Sequence, residues 1–412
     1  MTNVYDTLQE RGFIEQVTDE AAIRDLFDRE QVTAYVGFDP TAESLHVGNL
    51  LHIMTLKHLE LAGHRPVAIV GGGTVMVGDP SGKTEMRKLL DKDTIGAQTA
   101  QIRSQLGRYL DFDGGKSIIE NNADWLLDLN YIAFLREIGR HFSVNRMLSF
   151  ESYKIRLEKG LSFLEFNYQL LQAYDFLVLY RNHGCRLQTG GNDQWGNIVA
   201  GTDLIRRLES AEAYGFTTPL VTTASGAKMG KTADNAMWLD GTMLSPYDYY
   251  QFWVNSDDRD VKRWLSLYTF LPMEEVNRLG ALEGAKIRDA KRVLAFEATK
   301  LTHGEEQAHK AQEAALAAFG GGAAGDREGI PTHDVALSAL REGVPVLQLL
   351  VDSGLAPSKG DAKRLIRQGG AYLNKDKVAD LDFLATADFL DDEGCLMLRA
   401  GKKKYVQVRG VE

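Results

Sequence analysis

The first 220 or so residues alternate between short apolar runs and segments with the apolar period of a helix. Residues 32–38 are apolar and β-prone, residues 50–62 have helical periodicity, and residues 66–70 are apolar again before three consecutive glycines. This pattern predicts a β–α–β unit with glycine-rich turns after its strands. Such units build parallel sheets that bind ligands at the carboxyl ends of the strands.

The pattern changes twice further along the chain. Residues 245–319 are almost purely helical in period. Residues 320–332 are rich in glycine without an apolar period, which predicts a flexible linker. Residues 344–412 have the pattern of a small α+β unit. Before these changes the first part continues with a helix over 162–180, a strand over 185–188 and a helix over 196–208.

Composition places the chain among ordinary globular proteins. Its 412 residues predict two or three domains, and 44% hydrophobic with 25% charged residues excludes wholesale disorder. No apolar run approaches the roughly 20 residues of a membrane span, and the N-terminal residues lack a signal-peptide pattern. With Cys185 and Cys395 far apart, a disulfide framework is not expected, and we expect a cytoplasmic protein.

Charge is unevenly distributed. The net charge of -10 argues against nucleic-acid binding by the whole surface, so any RNA contact must come from local basic patches. Residues 359–377 and 402–404 are such patches, and both follow the predicted linker. A charge run is usually a solvated face, but this position favours RNA binding modestly.

The first β–α turn, residues 37–49, is a candidate phosphate site. Helix N-termini present free N–H groups and the positive end of the helix dipole. Thr41, His46 and Asn49 can donate hydrogen bonds there, and Gly48 lets a ligand approach the backbone. Taken alone, however, this motif is better explained by helix capping from Ser44, with His46 and Asn49 on the surface.

Two further segments place cations beside glycines. Lys228 and Lys231 can reach one anion from a glycine-flanked loop, but the motif alone is weak evidence, because such short strings are common in solvated surface loops. Residues 78–84 approximate a P-loop, but their first glycine is one residue too close to the second, which argues against that motif. Lys83 and Arg87, four apart, remain a candidate phosphate clamp.

A strand-to-helix turn at residues 189–195 is a candidate ribose site. Its glycines, Gly191 among them, permit close approach, and Asp193 could accept a hydrogen bond from a ribose hydroxyl. Capping of the next helix by Asn192 or Asp193 is an equally good explanation.

One face of the helix over 162–180 carries three polar residues. Tyr168, Gln172 and Asp175 stand at i, i+4 and i+7 and therefore share that face. Because Glu165 and Gln169 lie near the same arc, the face could equally be the polar side of an amphipathic helix.

Together these segments resemble the class I aminoacyl-tRNA synthetases, and within them the bacterial tyrosyl-tRNA synthetases. The string HVGN matches the family's HIGH motif and KMGKT matches KMSKS, with YVGFDPTAESLHVGN, VGDPSGK, LQAYDF and GGNDQWGN in the expected order. The resemblance covers essentially the whole chain. Its C-terminal part resembles a small RNA-binding domain that also occurs in a ribosomal small-subunit protein.

The resemblance implies a domain order. A Rossmann-like α/β catalytic domain with a parallel sheet would span residues 1–225, and the KMSKS-type loop with an α-helical anticodon-region domain would span 226–319. The flexible linker would occupy 320–343, and a small α+β RNA-binding domain 344–412.

The resemblance also implies the roles of individual residues. It assigns catalysis to Thr41, His46, Asn49, Lys83, Arg87, Lys228 and Lys231. It assigns tyrosine binding to Tyr35, Asp79, Tyr168, Gln172, Asp175 and Gln194, and ATP binding to Asp39, Gly48, Gly191, Asp193 and Lys231. Asp175 is expected to be ionised, with Tyr35 as its neutral partner on the phenol.

The implied reaction is the ATP-dependent charging of tRNA(Tyr) with tyrosine. ATP would be a substrate accompanied by Mg²⁺, with no metal ligated by side chains, no tightly bound cofactor and no membrane. Because members of the family usually work as homodimers, the resemblance also implies a homodimer. The alternatives are another HIGH-type nucleotidyl transferase, the tryptophan-specific relative, and a non-catalytic RNA-binding protein.

Two positions depart from the family pattern. Asn49 replaces the second histidine of HIGH, so an amide donor is kept but protonation is lost. Val36 stands where members often carry a cysteine that touches the ribose, and a valine cannot make that bond.

Overall fold

A six-stranded sheet organises the first half of the chain. We describe it from a computed structural model, which covers residues 3–81, 90–224, 226, 229, 236–319, 331–374, 376–391, 393–401 and 404–411. The strands are β1 Gln16–Val17, β2 Thr33–Phe38, β3 Arg65–Val70, β4 Ile118–Asn121, β5 Cys185–Gly191, β6 Tyr214–Thr218, β7 Thr332–Ala336, β8 Val344–Pro345, β9 Ala371–Leu373, β10 Asp376–Lys377, β11 Leu384–Ala385, β12 Cys395–Ala400 and β13 Lys404–Val411.

Helices make up most of the remaining described chain. They are α1 Val4–Arg11, α2 Glu20–Arg29, α3 Val47–Leu61, α4 Lys92–Leu106, α5 Ala123–Leu126, α6 Tyr131–Glu137, α7 Val144–Ser149, α8 Glu151–Lys159, α9 Phe163–Phe166, α10 Tyr168–His183, α11 Trp195–Glu209, α12 Pro246–Val254, α13 Val261–Tyr268, α14 Met273–Gly280, α15 Ile287–His303, α16 Glu305–Phe319, α17 Leu337–Glu342, α18 Val346–Asp352 and α19 Lys359–Arg367. None of the described helices has both the length and the apolar character that crossing a lipid bilayer requires.

The strand order of the large sheet is β1-β6-β5-β2-β3-β4, and every pair is parallel except β1 with β6. The chain runs outward from β2 through β3 to β4 and then returns to β5 on the other side of β2. A crevice for ligands is expected where the order reverses, at the carboxyl ends of β2 and β5. The predicted parallel α/β sheet is therefore confirmed.

Burial explains why these segments become parallel strands. β2 and β3 are buried almost throughout, as expected for strands covered by helices on both faces. On one face the core includes Tyr35, Val67, Phe176 and Leu204. The helix predicted over 162–180 is interrupted at Asn167, where α9 ends and α10 begins.

The contacts divide the chain into two compact units. One comprises Met1–Met243 with Asp257–Glu283, and the other Leu244–Ser256 with Gly284–Glu412. The helices predicted over 245–319 are present as α12 to α16, but α13 and α14 belong to the first unit. The predicted domain boundaries at 225 and 319 stay predictions.

The C-terminal part is α+β, as predicted, but the predicted linker over 320–343 is wrong from residue 332 onward. Residues 320–330 lie outside the described part of the chain, whereas β7 and α17 occupy 332–342. β7 pairs in parallel with β13 at the edge of a sheet ordered β10-β9-β12-β13-β7. Because this edge strand is mostly exposed, it includes polar residues and lacks the apolar run that would have predicted a strand.

Candidate active site

Polar side chains gather where the parallel strands end. Asp39 directly follows β2, Thr74 lies just beyond β3, Asn122 directly follows β4, and Asp193 follows β5. Parallel strands bring these ends to one edge of the sheet, and α10 contributes Asp175 to the same region. The predicted position of the site at the carboxyl edge agrees with this arrangement.

Asp175 is a buried carboxylate held by two donors. Asn122 Nδ2 donates to its Oδ2 at 2.9 Å, and Trp125 Nε1 donates to its Oδ1 at 2.7 Å. Burial raises the pKa of Asp175 to about 7, a rise that the nearby charge of Asp39 adds to and that the two donors oppose. Burial therefore favours the neutral form of this carboxyl, whereas the two donors favour the ionised form that the sequence-based expectation assigns to Asp175.

Tyr35 lies in the same buried region. Its side chain is 2% exposed, and its hydroxyl has no hydrogen-bond partner among the described residues. Burial, together with the charge of Asp175, raises the pKa of Tyr35, so the hydroxyl is neutral. A buried hydroxyl without a partner is costly, which suits a ligand that supplies the missing hydrogen bond.

Asp79 accepts a hydrogen bond from the first of three side-chain amides that are hydrogen-bonded to one another. Gln194 Nε2 donates to Asp79 Oδ2 at 2.7 Å, and Asn197 Nδ2 donates to Gln194 Oε1 at 2.9 Å and to Gln172 Oε1 at 3.0 Å. Burial raises the pKa of Asp79 to about 6, and the charge of Asp39 adds to the rise, although hydrogen bonds from the backbone N–H of Ser81 and from the side-chain amide of Gln194 oppose it. These acceptors suit an ammonium group, which supplies three donors.

Asp39 lies near both Asp79 and Asp175, and we call these three carboxyl groups the acidic cluster. Its Oδ1 accepts from Thr74 Oγ1, and its Oδ2 accepts from Tyr168 Oη, each at 3.0 Å. A Cβ on Gly71 would lie 2.2 Å from Asp39 Oδ1, so a larger residue there would displace the Asp39 carboxylate. Asp39, predicted to serve ATP, thus contacts Tyr168 of the predicted amino-acid site. The three spaced residues of α10 face this cluster, while Glu165 forms a buried ion pair with Arg156.

The turn before α3 differs from the capping predicted for Ser44. His46 is the N-cap residue, and its backbone N–H donates to Asn49 Oδ1 at 3.1 Å. Thr41 is exposed, whereas His46 and Asn49 are half-buried. A Cβ on Gly48 would lie 2.8 Å from His46 Cε1, so glycine gives the imidazole its place. The amide of Asn49 therefore orders the turn itself.

Asp193 is exposed at the end of β5 and does not cap the next helix, because Gln194 occupies the N-cap of α11. Asn192 instead accepts from Gln16 Nε2 at 2.6 Å. Near Asp193 lies His52, whose pKa burial lowers while the charge of Asp193 opposes the change. A Cβ on Gly191 would lie 2.7 Å from Asp193 Oδ1, so the glycine keeps this surface open.

Sequence reasoning missed the residues that hold Asp175. Asn122 and Trp125 lie about 50 positions from it, on and beside the four-residue helix α5, which has no readable period. The usable signal was their position after a strand of the parallel sheet. The predicted cations Lys83, Arg87, Lys228 and Lys231 lie outside the described residues. Within the described ranges, no group of three or more His, Cys, Asp or Glu side chains could hold a metal ion.

Comparison with known proteins identifies the family. The model of the class I tRNA synthetases (W and Y) matches residues 28–320, and a tyrosine–tRNA ligase C-terminal domain model matches residues 325–408. The chain belongs to the class I tRNA synthetases of this group.

The similarity between this synthetase and its relatives extends over nearly its full length. It is 55% identical to the tyrosine–tRNA ligase of Clostridium tetani over 406 residues, which cover 98% of each chain. It is 54% identical to the tyrosine–tRNA ligase of Desulfatibacillum aliphaticivorans, covering 98% of this chain and 97% of the relative. A truncated mitochondrial tyrosyl-tRNA synthetase from Aspergillus nidulans superposes with a TM-score of 0.70 at 31% identity, covering 77% of this chain and 95% of that one.

Proposed function

We propose that this synthetase is a tyrosine–tRNA ligase. It activates tyrosine with ATP, releases pyrophosphate, and transfers the tyrosyl group to the 3′-terminal adenosine of tRNA(Tyr). The observation that carries the proposal is the buried Asp175, which is held by Asn122 and Trp125. Near it lies the Tyr35 hydroxyl, which has no hydrogen-bond partner within the described part of the chain. A buried acceptor next to a neutral hydroxyl suits a phenol, which can donate to the carboxylate and accept from the hydroxyl. An indole N–H can donate but cannot accept, and a phenyl ring does neither.

The amino-acid subsite then follows from the acidic cluster. Tyr35 and Asp175 bind the phenol, Asp79, Tyr168 and Gln172 bind the ammonium group, and Gln194 lies near the carboxylate. A site built to pair a substrate hydroxyl rejects the analogue that lacks it, and tyrosine-specific synthetases are themselves the standard example. Selection against phenylalanine thus needs no second site.

Catalysis by this chain requires positioning and charge stabilisation. The tyrosine carboxylate attacks the α-phosphate of ATP, so no side-chain nucleophile is needed. Thr41, His46 and Asn49 meet the phosphates at the start of α3, and Asp193 binds the ribose with Gly48 and Gly191 leaving room. Lys83, Arg87, Lys228 and Lys231 stabilise the leaving pyrophosphate. Mg²⁺ accompanies ATP and is held mainly by the phosphates.

The working form is a cytoplasmic homodimer. Most of the large exposed hydrophobic side chains of the described residues fall between 127 and 164, including Tyr131, Ile132, Val144 and Phe163. Exposed apolar side chains concentrated in one stretch of the sequence support an interface. Sedimentation at micromolar concentration distinguishes a monomer from the dimer.

Aminoacylation tests the proposed function. The full chain is incubated with ATP, Mg²⁺ and tRNA(Tyr) or tRNA(Trp) transcripts, with labelled tyrosine or tryptophan. Tyrosine joined to tRNA(Tyr) supports the proposal. Tryptophan joined to tRNA(Trp) would establish the tryptophan-specific alternative, and RNA binding without any charging would establish a non-catalytic role.

Substitution of Tyr35 by phenylalanine should reduce selectivity modestly. The change removes one neutral hydrogen bond, which contributes about 0.5–1.5 kcal/mol, so kcat/KM for tyrosine should fall by about two- to tenfold. Activity with phenylalanine should be unchanged or slightly higher. Pyrophosphate exchange with both amino acids measures the ratio, and an unchanged ratio would remove Tyr35 from the phenol site.

Tyrosine affinity should depend on pH through Asp175 and Asp79. Their pKa values, about 7 and about 6, are raised by burial, and the carboxylate forms bind the phenol and the ammonium group. Affinity should therefore rise by about 20-fold between pH 6 and pH 8, about tenfold through Asp175 and about twofold through Asp79, and level off above that. Calorimetric titration of tyrosine tests this, with ATP as the control ligand. A tyrosine affinity that stays constant over this range would contradict the assignment.

A further inference from the structure

Gln105 lies behind the turn that precedes α3. It is in the last turn of α4 and is 2% exposed. Its Oε1 accepts from the backbone N–H of Leu45 at 2.9 Å and from Ser44 Oγ at 3.2 Å. Its Nε2 donates to the carbonyl oxygen of Glu43 at 3.3 Å and to Asp240 Oδ2 at 3.5 Å. One buried amide thus joins the residues immediately before His46 to a distant segment.

That segment, residues 237–240, is paired directly with the start of the HVGN motif. The N–H of Leu239 donates to the carbonyl of Leu45, and the N–H of Val47 donates to the carbonyl of Met237, both at 2.9 Å. His46 and Trp238 form the intervening antiparallel bridge. Asp240 N–H also donates to Ser44 Oγ at 3.2 Å. Gln105 and Ser44 therefore both bind Asp240 at the end of this short antiparallel pairing.

We propose that Gln105 is a positioning residue for adenylate formation. By hydrogen bonding both to residues 43–45 and to Asp240, Gln105 fixes the position of the His46 backbone. The proposal rests on the proposed function, in which His46 meets the phosphates as charge develops. Gln105 touches no substrate and acts through the turn. An error of about 1 Å in a group that stabilises a transition state can cost up to about 100-fold in rate.

If Gln105 has this role, its loss should change the rate of adenylate formation but not the affinity for tyrosine. The tyrosine pocket is held by other contacts, those of Asn122 and Trp125 to Asp175 and of Gln194 to Asp79. A displaced turn before α3 should therefore slow the chemical step and leave the tyrosine dissociation constant within about twofold. A merely structural role would lower the melting temperature without changing the rate per active site.

The test compares two glutamines of one helix. Gln105→Met removes every hydrogen bond of the amide at similar volume. Gln98→Met is the matched control, because Gln98 is also buried on α4 and its Oε1 has no hydrogen-bond partner among the described residues. The single-turnover rate of tyrosyl-adenylate formation is measured at saturating tyrosine and ATP, with active sites titrated and tyrosine affinity measured separately.

We expect Gln105→Met to lower the single-turnover rate by about tenfold or more, while Gln98→Met stays within about twofold of the wild type. An unchanged rate in Gln105→Met, or a rate loss matched by an equal loss of tyrosine affinity, would overturn the proposal. A wild-type chain that forms no tyrosyl-adenylate would instead refute the proposed function, so the two failures are distinct.

Exchanging the donor and the acceptor between positions 105 and 240 tests whether the hydrogen bond from Gln105 to Asp240 matters. Gln105→Glu keeps an acceptor for Leu45 but sets a carboxylate against Asp240, and it should slow adenylate formation. Adding Asp240→Asn lets the introduced amide donate to the introduced carboxylate, so the double variant should recover part of the lost rate, while the contact with the carbonyl oxygen of Glu43 stays lost. A double variant as slow as Gln105→Glu would show that the contact with Asp240 does not position the turn.

Discussion

Replacing Asp175 by asparagine should lower kcat/KM for tyrosine activation by about 100-fold or more. The phenol loses a charged acceptor, and a hydrogen bond to a charged group contributes about 1.5–3 kcal/mol, which is about 10–150-fold in rate. Asn122 and Trp125 both donate to this side chain. An asparagine turns its own NH₂ group toward one of them, which adds to the loss.

The variant can be separated from a folding defect. Asp124→Asn makes the same chemical change at an exposed position next to Trp125 and should leave exchange unchanged. Equal melting temperatures together with a 100-fold difference in kcat/KM would place the effect in the substrate site. If Asp175→Asn retains wild-type kcat/KM for tyrosine, the assignment of Asp175 to the phenol is wrong.

A chain ending at Phe319 should still activate tyrosine but should lose tRNA charging by about 100-fold or more at low salt. The residues assigned to activation all precede Ala233. The C-terminal part has its own apolar core within residues 340–408, including Leu340, Leu350 and Ile366. Contacts from lysine and arginine to phosphates supply much of RNA affinity, and this part carries both basic patches of the chain.

A full-length variant guards against a folding effect of the truncation. Lys359, Lys363 and Arg367 are exposed on α19, and replacing all three by glutamine leaves the core in place. The KM for tRNA should rise, and the salt dependence of RNA binding should become shallower by about two to three units of log–log slope. The deficit should thus shrink as salt increases. A triple variant that charges tRNA like the wild type at every salt concentration would mean that this face is merely solvated.

The central strands and their helices could be predicted from the sequence because burial leaves a strong pattern. β2 and β3 were located within a residue of their observed ends. The helix of Tyr168 was predicted over 162–180, whereas α10 runs from Tyr168 to His183. β4 was missed because its four residues are half-buried, so neither alternation nor an apolar run marks it. The edge strand β7 was included in the predicted linker for a related reason, since its exposed positions include the polar Thr332 and Asp334.

The candidate site was predictable where its residues share one element. The spacing of Tyr168, Gln172 and Asp175 on α10 is local information, and the structure brings all three to the acidic cluster. The partners of Asp175 are not local, because Asn122 and Trp125 meet it only through the parallel order of β3 and β4. The protonation of Asp175 also depends on burial, which spacing does not reveal.

The most direct test of this account is amino-acid-dependent exchange of pyrophosphate into ATP by the full-length chain, without tRNA. Tyrosine, tryptophan and phenylalanine are compared at equal concentrations. The account predicts exchange with tyrosine and at least about 100-fold less with the other two, because each leaves the buried Asp175 and Tyr35 without their phenol partner. Exchange with tryptophan equal to or greater than that with tyrosine, or no exchange with any of the three, would contradict it.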